Sequence, residues 1–267
     1  MSLSLAGLPI RGALLGAALL FAATVLPAQN AGDTGASAAP ASCTVGNAPP
    51  GSRVLVFSRT TGFRHASIPT GIAAVTELGA AHRFTVDATE DPSVFTDAGL
   101  RRYAAVVFMS TTGDVLDSAQ QASFERFIRR GGGFVGVHSA TDTEYDWPWY
   151  GQLVGAYFKR HPAIQEAKVN VVDHKFIATR CLPPVWTRTD EWYDFREAPS
   201  KDVRILLTLD ETSYKDGGMG AFHPLSWYHT VGAGRAFYTE LGHTNESYAD
   251  PAYRNHLAGG IVWALTR

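Results

Sequence analysis

Charge is scarce in this sequence: 18% of its 267 residues are Asp, Glu, Lys or Arg, and the formal net charge is -2. No run or stripe of Lys and Arg appears, which argues against nucleic acid as a partner. Cysteine is scarcer still, with two in the chain, Cys43 and Cys181. Neither has the local features of a nucleophile. One disulfide between them is permitted in an exported protein, and the sequence leaves it open. No internal repeat is visible. Only one stretch has the length and apolarity of an export or membrane segment, Gly12 to Leu26, preceded by Arg11 and followed by Leu26-Pro27-Ala28. It is too short for a good span and has the layout of a secretory signal. Residues 1–28 are therefore expected to be a signal peptide, leaving a secreted or periplasmic protein with no stable membrane insertion. The Ala/Ser/Gly/Pro-rich stretch 29–50 reads as a disordered linker. Cys43 lies too far from the apolar run, with Pro40 three residues before it, for a lipoprotein signal. Residues 51–267, with the chain at 45% hydrophobic residues overall, read as one globular domain.

That domain opens at Arg53-Val54-Leu55-Val56-Phe57, a short apolar run that predicts a buried strand. A helix follows, with Ser67 as cap, Pro69 in its first turn and an end near Leu78. Phe84 to Asp87, Ala104 to Met109 and Phe134 to His138 predict three more strands. Between the last two, Ser118 caps a helix with Phe124, Phe127 and Ile128 as its apolar stripe, and Gly131 to Gly133 ends it. Such alternation means a parallel sheet with right-handed crossovers. Lys168 to Val172, Arg204 to Leu209, His223 to Tyr228 and Arg235 to Thr239 predict further strands with short links. Val231 to Gly234 reads as a hairpin turn, and a closing helix spans Pro251 to about Leu265.

In an open parallel sheet, ligands bind beyond the carboxyl ends of the strands. Three loops leave those ends: Ser58 to His65, Ser110 to Asp114, and His138 to Thr143. Ser67, Thr111 and Ser118 are read as helix caps. Gly136-Val137-His138-Ser139-Ala140 has the strand-to-turn layout of a nucleophile elbow, with histidine where Ser or Cys would stand. A histidine there serves as acid/base, hydrogen-bond donor or metal ligand, and the missing nucleophile argues against an amidotransferase or cysteine peptidase. Other histidines stand beside aromatics and carboxylates, as in Asp190-Glu191-Trp192-Tyr193 and His223-Pro224-Leu225-Ser226-Trp227-Tyr228-His229. Aromatic faces stack on sugar C–H faces and carboxylates bind hydroxyls, so the mixture suits a carbohydrate pocket. His138, His65, Arg64, Glu191 and His243 are the catalytic or ligand candidates. Thr61, Phe63, Thr112, Asp142, Trp192, His223, Trp227, His229 and Glu240 are the candidate substrate contacts. Phe158, Phe195 and Phe237 are read as core, and His82, His174 and His256 as surface residues.

Thr61-Gly62-Phe63-Arg64-His65, Gly136 to Asp142, Asp190 to Tyr193, His223 to Tyr228, Gly234-Arg235 and Thr239-Glu240-Leu241-Gly242-His243 together resemble the trehalose-utilisation, or ThuA-like, family. The likeness runs from about Arg53 to the carboxyl end. It implies an α/β fold of the flavodoxin-like, class I glutamine amidotransferase-like kind, a three-layer sandwich around a mainly parallel sheet. It also implies a tie to sugar catabolism, notably of oxidised (3-keto) glycosides. Some members look capable of holding a divalent metal, which makes such an ion the candidate cofactor, with its ligands left open. The expectation is an enzyme on a small carbohydrate, a hydrolase, lyase or isomerase. The alternative is a sugar-binding protein that kept the pocket and lost the chemistry.

Overall fold

The computed structural model describes residues 43–266, so the expected signal peptide and most of the expected linker lie outside the described residues. The apolar runs form the strands nearest the centre: β1 (Arg53–Phe57), β3 (Ala105–Met109) and β4 (Gly133–Val137) are buried almost throughout. Strands that read as continuous hydrophobic runs are covered on both faces, and two core clusters do so here. One packs α1 (Ile68–His82) and α5 (Pro251–Leu265) on the sheet. The other packs α3 (Ser118–Arg129) and α4 (Pro148–Val154) on the opposite face. The short α2 (Asp97–Leu100) and the edge strand β2 (Thr85–Thr89) complete this half. The result is the expected three-layer α/β sandwich.

The rest of the sheet is built from β6 (Gln165–Val171), β7 (Val185–Asp190), β9 (Arg204–Leu209), β10 (Pro224–Val231) and β11 (Gly234–Thr239). A small separate ribbon pairs β5 (Phe158–Arg160) with β8 (Asp194–Phe195). The nine-stranded order is β2-β1-β3-β4-β11-β10-β9-β6-β7. The first five strands are parallel and the last four antiparallel. The hairpin β10–β11 turns at Gly232, where φ is 62°.

Local chemistry departs from the sequence reading at several points. Asp117, not Ser118, caps α3: its carboxylate takes the Gln120 N–H while the Gln120 side chain returns to the Asp117 N–H, a capping box. Ser67 makes no cap bond and donates instead to the Gly242 carbonyl, and α1 runs on to His82. Cys43 and Cys181 are joined in a disulfide across 138 residues of sequence. Residues 43–50 are accordingly not linker. Val45 and Ala48 are buried, and the Ala48 N–H donates to the His82 carbonyl.

The strand directions decide where chemistry can collect. β1, β3, β4 and β11 end on one edge of the sheet. Because β10, β9, β6 and β7 alternate in direction, β7 and β9 also end on that edge, and β6 and β10 begin there. Among the described residues no helix is long and apolar enough to cross a membrane.

Candidate metal centre

Four residues from this edge converge. The loop after β1 delivers His65. β4 runs straight into His138, whose φ of 51° puts it in the left-handed region that a non-glycine residue seldom adopts. The turn is tight because its flanks are small: a Cβ at Gly136 would lie 3.2 Å from that of Ala140. β7 ends at Asp190 and hands over to Glu191. Beyond β11, Gly242 at φ 116° turns the chain toward His243, and a side chain there would crowd Tyr248 and Tyr253. Asp190, wholly buried, takes the backbone N–H groups of both Gly242 and His243 at 3.1 Å. Two loops distant in sequence are thereby locked to one carboxylate.

The donor atoms crowd around His138 Nε2. It lies 3.2 Å from His65 Nε2, 3.1 Å from His243 Nδ1 and 3.4 Å from Glu191 Oε2. His243 Nδ1 is 3.0 Å from the same carboxylate oxygen. All four ligand atoms fall within 4.8 Å of one another. Zinc–ligand bonds of roughly 2.0–2.1 Å in a tetrahedron give edges of about 3.3 Å, so the spacing fits a four-coordinate ion. Three imidazoles and one carboxylate suit zinc, nickel, iron or cobalt better than calcium or magnesium.

Surrounding groups set the lone pairs. The Nδ1–H of His138 donates to the Glu240 carbonyl at 2.7 Å, leaving Nε2 to face the cluster. That is the outer bond by which proteins orient a ligating histidine. His65 Nδ1 meets the Ser139 hydroxyl at 3.3 Å. Burial, reinforced by His138 and His243, pushes His65 down to about 3, so it is neutral near pH 7. Burial pushes Glu191 upward, but its contacts with His138 and His243 outweigh it and hold the carboxyl below its usual range. For His243 burial is again the largest influence and lowers it, yet the bond to Glu191 wins and raises it. A neutral His65 beside an ionised Glu191 matches the protonation states a cation requires of those two groups.

Two neighbours complete the site that the sequence reading passed over. The Tyr193 hydroxyl donates to His138 Nε2 at 2.9 Å, and His161 Nδ1 lies 3.1 Å from Glu191 Oε1. Along an extended segment Glu191 and Tyr193 share a side while Trp192 points the other way, a period that favours Tyr193 over Trp192.

The remaining candidates sort differently. Trp192 and Trp227 are fully buried and donate their indole N–H to the Gln165 and Val154 carbonyls, so both are core, not substrate contacts. His229 donates to the Leu153 carbonyl and lines a separate cleft of about 830 Å³ between α4 and residues 196–203. That cleft contains none of the four donors. His223 and Glu240 are wholly buried behind the cluster: His223 Nε2 donates to the Tyr193 carbonyl, and Glu240 accepts the Tyr193 N–H. Both hold Tyr193 and neither faces an opening. Arg64 is engaged by Glu90 at 2.5 Å and by the Ser58 carbonyl, not by the cluster. Asp142 accepts from the Tyr145 hydroxyl at 2.6 Å and stays outside the four donors. Thr61 and Thr112 bond to backbone carbonyls and stitch the loops together. Phe63 is exposed beside His65. His256, read as a surface residue, is 0% exposed.

Fold and site define an α/β protein with an elbow histidine in place of a nucleophile, and known proteins agree on the fold. Residues 53–264 match the family model described as ThuA, trehalose utilisation, and the chain belongs to that family. A ThuA-like protein of Bacteroides uniformis ATCC 8492 superposes with a TM-score of 0.70 at 24% identity, over 86% of this chain and 95% of that one. Another from Parabacteroides merdae ATCC 43184 gives 0.68 at 22% identity, over 82% and 91%. The cytoplasmic protein STM3548 of Salmonella typhimurium shares the fold at a TM-score of 0.56 and 10% identity, over 79% and 98%. Among curated proteins, none matches this sequence.

Proposed function

We propose that this chain is an exported enzyme of glycoside or 3-keto-glycoside breakdown whose His65, His138, Glu191 and His243 hold a divalent transition metal. The observation that carries the reading is the set of donor-to-donor distances of 3.0–3.4 Å, close to the edge lengths of a tetrahedral site. The family's trehalose-utilisation description supports a sugar as substrate. The apolar leader and the Cys43–Cys181 disulfide support export, since disulfides persist in oxidising compartments. When bound, such an ion supplies Lewis acidity toward a sugar carbonyl or hydroxyl oxygen. The chain's own groups do the rest. The Glu240 carbonyl fixes the His138 tautomer, Asp190 fixes the His243 loop, the buried Tyr193 hydroxyl lies against His138, and the part-exposed His161 lies against Glu191. In this reading His138 is a ligand before it is an acid or base.

Metal analysis of protein purified without a polyhistidine tag, with turnover on a panel of glycosides and 3-keto-glycosides, tests this. The expected outcome is about one ion per chain and activity lost on chelation and restored by added metal. His138→Ala should weaken metal binding by more than about a hundredfold, beyond the roughly 10- to 100-fold typical of outer-shell partners. Turnover that survives both chelator and His138→Ala sinks the metal assignment. Sugar bound tightly but never converted leaves a binding protein.

A further inference from the structure

Among the described residues, the most exposed large apolar side chain is Phe63, at 67%. Single exposed aromatics are ordinary on protein surfaces, so the setting of this one has to carry the argument. Its backbone is clamped. The Phe63 carbonyl accepts from the Thr112 hydroxyl at 2.8 Å, and the Thr61 N–H donates to the Thr112 carbonyl at 2.9 Å. Bridges pair Thr60 with Thr112 and Gly113 with Thr143, tying the three strand-end loops into one ladder. The ladder is close enough that a Cβ on Gly113, at φ 72°, would collide with the Thr61 hydroxyl.

The ring therefore stands in water on a well-held loop, forgoing the free energy that burying it would bring. It also stands beside the donors. Phe63 meets His65 edge-on with centroids 4.9 Å apart, and His65 in turn lies 4.7 Å from the His138 ring and 5.1 Å from that of His243. A ligand covering Phe63 must offer a flat apolar face to the ring and oxygens at its rim to the cluster. Most small polar metabolites lack the first feature. A pyranose has both, because C–H bonds line a ring face while oxygens stand around its rim.

We propose that Phe63 is the stacking platform for a pyranosyl ring, presenting that ring's rim oxygens to His65, His138, Glu191 and His243. The inference rests on the carbohydrate reading above and narrows its substrate class.

Calorimetric titration of the metal-loaded full chain with methyl glucopyranoside and the acyclic polyol sorbitol tests it. The glucoside should bind, and sorbitol, which carries hydroxyls but no ring face, should bind more weakly. Phe63→Ala should weaken glucoside binding by about ten- to a hundredfold, the scale of losing an aromatic stacking partner. Phe63→Trp should bind at least as well as the parent. Metal content and thermal midpoint should stay unchanged in both variants. If the parent binds the glucoside and Phe63→Ala binds it equally, this inference fails and the carbohydrate reading stands. Loss of metal in Phe63→Ala would make the ring packing for His65 and overturn the platform. A parent that neither binds nor converts any pyranoside brings down the carbohydrate reading and the platform with it.

Discussion

The parallel half of the sheet, β2 to β11, and the antiparallel half, β10 to β7, serve the cluster by different means. The parallel half supplies three imidazoles, from the loop after β1, the turn after β4 and the loop after β11. Its interior is apolar, and its residues reach the site because its strands end there. The antiparallel half supplies one carboxylate, Glu191, and the polar scaffold that aims the rest. Within β7, Arg188 and Asp190 form a buried ion pair at 3.0 Å, and Asp190 reaches across to the backbone before His243. Strand ends decide which residues arrive at the edge. Buried polar contacts between the halves decide how they point.

The largest expected effect comes from breaking that contact. Asp190→Ala leaves Arg188 buried without its main partner and frees the His243 loop. A loss of about 3–5 kcal/mol is the scale for unpairing a buried charge, read as a drop in urea midpoint together with weakened metal binding. Unchanged stability would mean that Asp250, at 3.6 Å, and the Ser247 hydroxyl, at 2.7 Å, suffice for Arg188.

A middle-sized effect tests the seam between the halves. His256 on α5 places Nε2 between Ser226 of β10 and Thr239 of β11, while Nδ1 donates to the Ala178 carbonyl. Burial lowers its pKa from 6.5 to about 4. Between those values the unfolded chain holds a proton that the folded chain does not. Stability should therefore fall as pH drops through that window, by up to about 1.4 kcal/mol per pH unit for one proton. Comparing the slope of denaturation midpoint against pH for the parent and His256→Gln isolates the group. Equal slopes would show that His256 does not hold the seam in its neutral form.

The smallest effect lies in the parallel half alone. Asp117→Ala should cost about 1 kcal/mol by removing the α3 cap, while Ser118→Ala should change little. The reverse order would restore Ser118 as the cap.

These contrasts also explain what was legible in the amino-acid sequence. The parallel strands were, because burial on both faces leaves unbroken apolar runs such as Ala105 to Met109. The helix Pro251–Leu265 was, because Asp250 and Pro251 mark its start. β7 was not: its inward residues are Trp186, Arg188 and Asp190, and two charges on the buried face disguise the alternation. Of the site, the four converging donors stood among the candidates: His65, His138 and His243 because each follows a predicted strand, and Glu191 because it stands among aromatics and a second carboxylate in Asp190-Glu191-Trp192-Tyr193. Trp192, Trp227 and His229 were misjudged together, since each hides its polar N–H on a backbone carbonyl, a partner that residue type alone does not reveal. His256 was misread for the same reason.

The place of β11 has a consequence for how the molecule comes into being. It lies between β4 and β10, pairing in parallel with one and antiparallel with the other, yet it is the last strand to be synthesised. Until it arrives, β4 has β3 on one side and no strand on the other, the His138 ring lacks the Glu240 carbonyl that orients it, and His243 does not exist. A growing chain can assemble the earlier strands but cannot own a finished site, so the pairing that closes the sheet spans most of the domain's length. Folding dominated by such distant pairings is slow.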